Sequence, residues 1–323
     1  METLRQFIEK INREGKFAGE LRYGEPMSHH TTFKVGGKAD VWVRPEKDIF
    51  PVYAAKLLKA AWGEGIPVFI LGGGANIVVS DLGIRGIVLD TGSWQGIDTV
   101  MGREAEGGGS QPVSALSVRV LSGSPVDGLI DQLAAEGISG LEFLAGMPGS
   151  VGGAIWMNAR CYDKSVSDAL VETEILDEDC REQTIRFRPE DFSYKKSPFQ
   201  GTKTLILSGR FSVQAREPEA IRQEMAVYRR DRTEKGHYRF PSAGSAFKNN
   251  RDFGDPTGRI IDRLGLRGFR VGGAQVAPWH GNIIINTGGA TAADIKLLVA
   301  EVARRVKEEL GFDLKSEILF IGE

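Results

Sequence analysis

The chain is poor in the residues that build covalent or metal scaffolds. Its 323 residues include two cysteines, Cys161 and Cys180, which form no Cys-x-x-Cys pair and lack zinc-like spacing. A disulfide framework and a structural zinc site are thereby excluded. Of four histidines only His29 and His30 are close together, so no metal site is expected. Charge of either sign is not in excess: 41 Lys and Arg stand against 43 Asp and Glu, a formal net charge of -2. Such a balance gives no general attraction to nucleic acid or to an anionic membrane. No apolar run is long enough to span a bilayer, and the start, Met1-Glu-Thr-Leu-Arg-Gln-Phe-Ile-Glu-Lys, lacks the apolar segment of a signal peptide. The expected location is the cytoplasm. Two nucleotide-binding signatures are missing as well. No Gly-x-x-x-x-Gly-Lys-Ser/Thr is present, which excludes a P-loop. A strand, Pro67–Leu71, does run into Gly72-Gly-Gly-Ala-Asn, but Ile77 stands at the third glycine position of a Rossmann fingerprint. Val78 and Val79 continue as strand where a helix should begin, so a tight turn between two strands is expected.

What is abundant is glycine, and the 41 glycines cluster. From Leu141 to Ala159 an apolar run without Lys or Arg is interrupted by Gly146, Pro148, Gly149, Gly152 and Gly153. Glycines so placed imply a tightly turned backbone that something approaches closely. A phosphate bound here would be held by backbone N–H groups and a helix N-terminus. A buried glycine-rich crossover would have the same composition, and on these residues alone both readings stand.

Hydrophobic content of 41% and charged content of 26% fit a soluble globular protein, and the length calls for two or three domains. Leu4, Phe7, Ile8 and Ile11 mark an amphipathic first helix. A strand follows the Gly36-Gly37 pair, a helix is expected over 46–62 with Pro51 in its first turns, and another strand at Gly86–Leu89. Residues 102–112 read as a surface loop; Ser124 is expected to cap a helix starting at Pro125 and closing at Gly137. Ala169–Asp177 and Gln183–Phe187 alternate as antiparallel strands, followed by a strand over 203–215. A helix over 217–233 ends in the basic run Arg229-Arg-Asp-Arg-Thr-Glu-Lys, which by itself suits a solvated helix end. Pro241-Ser-Ala-Gly-Ser-Ala-Phe-Lys-Asn reads as a small-residue turn exposing two serines, and a short helix spans 256–264. The last helix opens with a capping box, Thr291 with Asp294, and carries the stripe Ile295, Leu298, Val299, Val302, Val306, Leu310. A final strand over 316–321 puts Glu317 on one face with Leu319 and Ile321. The expected class is α+β, divided 1–92, 93–216 and 217–323.

Several of these segments occur together in a known order. Thr32-Phe-Lys-Val-Gly-Gly, Leu71-Gly-Gly-Gly-Ala-Asn, Gly146-Met-Pro-Gly-Ser-Val-Gly-Gly-Ala, Pro241-Ser-Ala-Gly-Ser-Ala-Phe-Lys-Asn, Gly273-Ala-Gln-Val and Glu317-Ile resemble the UDP-N-acetylenolpyruvoylglucosamine reductase family from about Thr31 to Ile321. The resemblance implies an FAD-binding body of two subdomains, similar to the vanillyl-alcohol-oxidase/p-cresol-methylhydroxylase type, plus a C-terminal α+β substrate-binding domain. It implies FAD as cofactor, NADPH as co-substrate and a small-molecule sugar-nucleotide substrate on the way to bacterial peptidoglycan. No obligatory protein partner is implied. FAD-binding positions are Gly72, Gly73, Gly74, Ala75, Asn76, Gly146, Met147, Pro148, Gly149, Ser150, Gly152, Gly153, Asn158 and Tyr162. By family position Ser245 donates a proton to the substrate α-carbon, Glu317 polarises its carboxylate as a hydrogen-bond donor, and Lys195 stands against the developing enolate. Tyr194, Arg232, Lys235, Lys248, Asn249 and Gln275 match substrate positions.

The chain departs from the family pattern in a few places. Lys195 takes the place of an Arg, which keeps the charge but loses the planar fork. Arg160 and Asp163 replace two glycines after Asn158, Asn250 replaces a Pro, and Gly236-His-Tyr replaces a Gln-Pro-Leu-like segment. The alternatives are a related flavin oxidoreductase acting on another substrate and a non-catalytic flavin-binding paralogue. The set Ser245, Lys248, Asn249, Gln275 and Glu317 suits an enolpyruvyl sugar nucleotide and has no explanation in an oxidase.

Overall fold

The structure, a computed structural model, describes residues 2–100 and 116–322; the 102–112 loop lies outside the described residues. The class is α+β, as expected. In chain order come α1 (Glu2–Gly15), β1 (Gly19–Pro26), β2 (Lys38–Pro45), α2 (Phe50–Gly63), β3 (Val68–Leu71), β4 (Ile77–Val79), β5 (Ile84–Asp90) and β6 (Ile97–Val100). Then follow β7 (Ser117–Leu121), α3 (Val126–Ala135), β8 (Ile138–Ser139), α4 (Val151–Met157), β9 (Arg160–Cys161), β10 (Lys164–Ser165), β11 (Leu170–Leu176), β12 (Glu182–Arg186), β13 (Leu205–Ser212) and β14 (Gln214–Ala215). The remainder is α5 (Pro218–Glu234), β15 (Ser242–Ser245), α6 (Thr257–Arg263), β16 (Arg270–Val271), β17 (Ala274–Val276), β18 (Ile283–Asn286), α7 (Ala292–Leu310) and β19 (Leu319–Ile321).

Compactness groups these elements into two units made of segments distant in sequence. The first holds Met1–Leu21, Val43–Gly73 and Leu89–Arg230; the second holds Arg22–Trp42, Gly74–Val88 and Asp231–Glu323. In the first unit, β12-β11-β13-β7-β6 form a five-stranded antiparallel sheet. Its apolar face closes on α3 and α4 through Val118, Val120, Leu129, Leu133, Ile155 and Phe211. The alternation seen at Ala169–Asp177 and Gln183–Phe187 is the mark of strands with one solvated face, and they pair as expected, Thr173 opposite Ile185. In the second unit, β15-β18-β17-β16 form a four-stranded sheet, and β19 pairs in parallel with β4. The α7 stripe packs there: Ile295, Leu298, Val299, Val302 and Val306 are buried, while Leu310, in the last turn, is 38% exposed.

Local expectations fail in instructive ways. The strand β1 carries no apolar alternation in Gly19-Glu-Leu-Arg-Tyr-Gly-Glu-Pro, so periodicity did not announce it. The helix expected from residue 46 starts at Phe50, after a 3-10 turn at Lys47–Ile49, because Pro51 suits only the first helical turn. Ser124 does not cap α3; its Oγ instead accepts from the Gly96 amide at 3.1 Å. The tight turn between two strands expected at the Gly72 loop is present, joining β3 to β4, but β4 finds its pairing partner in β19. Residues 242–245 are not a turn but a strand, in which Ser242 faces Ile285 and Ser245 faces Ile283. Three steps against two make a β-bulge, and Gly244 supplies the left-handed φ of 71° it needs.

The capping box of α7 is present: the Asp294 amide donates to Thr291 Oγ1 at 3.0 Å and the Thr291 amide to Asp294 Oδ2 at 3.1 Å. The Thr291 and Gly273 amides together hold the Asp294 carboxyl below its ordinary pKa. Asp81 adds what the sequence does not show, accepting from the Ala292 and Ala293 amides at 2.8 and 2.9 Å. Asp81→Ala orphans both donors and removes a negative charge from the helix N-terminus. It should cost about 1 kcal/mol, read as a lower urea midpoint with an unchanged slope.

Candidate functional site

The glycines of the first unit sit where no side chain fits. A Cβ on Gly73 would lie 2.5 Å from Gly149 Cα and 2.8 Å from its carbonyl carbon, and one on Gly72 would strike Ser150 Oγ. One on Gly152 would lie 2.8 Å from Ser122 Cβ. Two backbone loops therefore meet directly, with Gly149 at φ 113° and Gly146 at φ 74°. Some amides of the second loop are used in fixing it: Gly146 donates to Asp127 Oδ1 at 2.7 Å, Met147 to Leu144, Val151 to Ser124 and Gly152 to Ser122. The Gly153 amide reaches Ser150 Oγ at 3.4 Å. Pro148 has no amide to offer. Among the described residues the amides of Gly73, Gly149 and Ser150 have no acceptor, and Gly73 is exposed. Ser122 Oγ is buried without a partner among the described residues.

In the second unit Gly74, at φ 61°, meets the His30 carbonyl where a Cβ would be, and its own carbonyl accepts from the Thr32 amide at 3.1 Å. Thr32 Oγ1 is likewise buried without a partner among the described residues. Beyond Ala75, Asn76 Nδ2 donates to the Glu317 carbonyl at 3.0 Å. The unpartnered amides of Gly73, Gly149 and Ser150 and the Ser122 hydroxyl, on the cation-free glycine loops of the first unit, are the donor set a pyrophosphate requires, so these first-unit residues fit FAD.

Further along the first unit, Asn158 is buried at φ 44°, donates from Nδ2 to the Ser193 carbonyl at 2.9 Å and accepts from the Ser167 amide at 3.1 Å. Asn158 thereby ties the end of α4 to the turn carrying Tyr194 and Lys195. That turn is closed by reciprocal Ser193 and Lys196 amide–carbonyl bonds at 3.1 and 3.0 Å, with Lys195 at φ 57° and Tyr194 41% exposed. Tyr162, at φ 52°, donates to the Tyr228 carbonyl at 3.1 Å and packs on the Tyr228 ring at 4.4 Å. Of the two replaced glycines only one position needs glycine-like backbone: Asp163 is at φ 61°, a region aspartate tolerates better than most residues. Arg160 lies in β9 and pairs with Asp163 at 3.1 Å, so each replacement partners the other.

The second unit carries the remaining positions. Ser245 ends the bulged strand β15. One residue on, the Ala246 carbonyl accepts from the Glu317 amide at 2.8 Å, Phe247 faces Ser316, and the Lys248 amide donates to Lys315 at 2.9 Å. The regular strand of the C-terminus begins only at Leu319, and Glu317 just before it is 8% exposed. Asn249 Oδ1 accepts from the Thr257 amide at 2.9 Å, and the Lys248 carbonyl takes the Thr257 hydroxyl at 3.1 Å, fixing both residues to the start of α6. Gln275 Nε2 donates to the Gly268 carbonyl at 2.9 Å. Arg232 and Lys235 sit at the end of α5, Lys235 paired with Asp231 at 2.7 Å. By contrast Arg229, in the same basic run, pairs with Asp127 and Asp131 at 2.6 and 2.8 Å.

Residues 236–321 match the family model "UDP-N-acetylenolpyruvoylglucosamine reductase, C-terminal domain", and residues 53–186 match "FAD binding domain". The chain belongs to the UDP-N-acetylenolpyruvoylglucosamine reductase family. The family's enzyme from Treponema denticola is 39% identical over 94% of both chains, and that from Borreliella burgdorferi 35% identical over 99% of this chain and 98% of the other. The crystal structure of the reductase from Thermus caldophilus superposes with a TM-score of 0.71 at 31% identity, covering 94% of this chain and 99% of that one. Membership makes the chain an oxidoreductase with an FAD-binding domain, in agreement with the glycine cradle.

Gly73→Ala should force the glycine loops apart, an overpacking of about 1–3 kcal/mol, and weaken FAD binding to the apoprotein on the order of tenfold or more in a fluorescence titration.

Near Arg232, His237 lies among groups that resist its protonation. Burial lowers its pKa to about 4, with Arg232, His280 and Lys235 acting in the same direction and Asp231 opposing them. A histidine held neutral in the fold but free to protonate near 6.5 when unfolded stabilises the protein above that pH. This contribution is lost as pH falls toward 4, by at most about 3 kcal/mol. His237→Gln should flatten the fall of Tm between these two pH values.

Proposed function

We propose that the chain reduces UDP-N-acetylglucosamine enolpyruvate to UDP-N-acetylmuramate, with NADPH as co-substrate, in the cytoplasmic synthesis of peptidoglycan precursors and without an obligatory protein partner. The observation that supports this reading is the backbone seam between the segment that follows Ser245 and the segment of Glu317, in which the Ala246 carbonyl accepts from the amide of Glu317, itself a buried residue. On this reading residues 1–92 and 93–216 hold the cofactor and 217–323 the sugar nucleotide.

Bound FAD supplies the hydride transfer between NADPH and the substrate. The amides of Gly73, Gly149 and Ser150, with the Ser122 hydroxyl, would hold it. The remaining demands fall on side chains. Hydride addition at the enolpyruvyl β-carbon breaks the C=C π bond and places its electron pair on the α-carbon and carboxylate as an enolate. Lys195 provides a positive charge for that enolate, as a point charge without a fork. Glu317 hydrogen-bonds the carboxylate. Ser245 gives its hydroxyl proton to the α-carbon, completing a C–H bond, and Lys248, held by its carbonyl to Thr257, is the cation that stabilises the resulting alkoxide. Arg232 and Lys235 take the diphosphate, with Asn249, Gln275 and Tyr194 orienting the rest of the substrate.

An anaerobic spectrum tests the reading in two steps: NADPH should bleach the flavin's visible absorbance, and UDP-N-acetylglucosamine enolpyruvate should restore it. A wild-type protein that stays bleached would overturn the substrate assignment. Ser245→Ala should bleach at the wild-type rate and recover about a hundredfold or more slowly. Equal slowing of both steps would show that Ser245 is not the proton donor.

A further inference from the structure

Asn282 has no place in the motifs above, yet it holds one edge of the strand segment whose other edge carries Glu317. It is 3% exposed and uses every polar atom it has. Its Oδ1 accepts from the Phe247 amide at 2.9 Å while its Nδ2 donates to the Phe247 carbonyl at 2.8 Å. Its own carbonyl accepts from the Ala246 amide at 2.8 Å, and its amide donates to His280 Nδ1 at 3.1 Å. The last bond leaves the proton of neutral His280 on Nε2, and burial lowers the pKa of that ring.

The side chain stands in for a missing length of strand. β18 begins at Ile283, opposite Ser245, so the ladder has no residue left to pair with Phe247. A carboxamide, with one donor and one acceptor in the spacing of a peptide group, continues the pairing where the backbone turns away. On the other edge of the same two residues, Ala246 takes the Glu317 amide and Phe247 faces Ser316. We propose that Asn282 is a positioning residue whose carboxamide clamp on Phe247 fixes Ser245 and Glu317 relative to each other for proton delivery. The proposal rests on the roles given to those two residues above. Asn282 touches neither substrate nor cofactor and acts through the strand it holds.

The test uses the full-length flavin-loaded protein with Asn282→Asp, which keeps the shape but turns a second acceptor toward the Phe247 carbonyl, and with Asn282→Gln, which keeps the amide and displaces it. Both should bleach with NADPH at the wild-type rate. Recovery on adding the enolpyruvyl substrate should slow on the order of ten- to a hundredfold, with the half-saturating concentration unchanged, as for a misplaced catalytic group. Hydrogen exchange should show the Phe247 and Glu317 amides losing protection in both variants. The inference fails if a folded variant recovers at the wild-type rate, if both steps slow together, or if those two amides stay protected. A second unit that unfolds altogether in both variants would make Asn282 a determinant of folding and would equally overturn it. Wild-type protein run in parallel separates the two readings: failure of its recovery step removes the proposed reaction, while the exchange measurement still decides whether the clamp exists.

Discussion

The approach of Gly73 to Gly149 is the constraint from which the cofactor side of the molecule follows. With a Cβ position only 2.5 Å from the facing Cα, the two loops can meet only as bare backbone. Bare backbone, in turn, leaves amides with no internal acceptor, and such amides are costly unless a ligand or water takes them. An anion-binding surface thus arises from a steric requirement, and no lysine or arginine in the Leu141–Ala159 stretch is needed to make it.

In the second unit the governing device is different. Ser245 ends a bulge whose left-handed residue is Gly244, and the Glu317 amide is held by the carbonyl of the next residue, Ala246. The two units rely on opposite physics, one on excluding side chains and the other on a buried side chain, Asn282, that mimics backbone. Polar side chains next to the glycine loops do much of the arranging. Asp127 holds the Gly146 amide and anchors Arg229, and Asn158 turns its amide onto the Tyr194–Lys195 turn.

Legibility followed the length of the pattern. The stripe and capping box of α7 and the alternating pair β11 and β12 were readable because several residues repeat one period. β1 was hidden by its polar composition, and the bulge at 242–245 looked like a turn because Ser, Ala and Gly serve both. The family was legible through motifs that persist in order along the chain. Asp81, Asp127 and Asn282 were not, since a single polar residue carries no period and its partners lie far away in sequence. Ser124 shows the converse error, a good local cap whose hydroxyl a distant amide claimed first.

The pairing of β4 with β19 bears on how the chain is made. β4 is synthesised long before β19, with almost every other element of the fold between them. The Asp81 cap on α7 spans nearly the same interval. The second unit therefore closes late, and its early segments wait, with apolar Val78 uncovered, until β19 has emerged. The five-stranded sheet of the first unit is complete once β13 has emerged. Vectorial synthesis thus imposes an order in which the glycine cradle can exist before the strand of Ser245 has a partner, and the emergence of β18 and then of the Glu317 segment is what gives that strand its two neighbours.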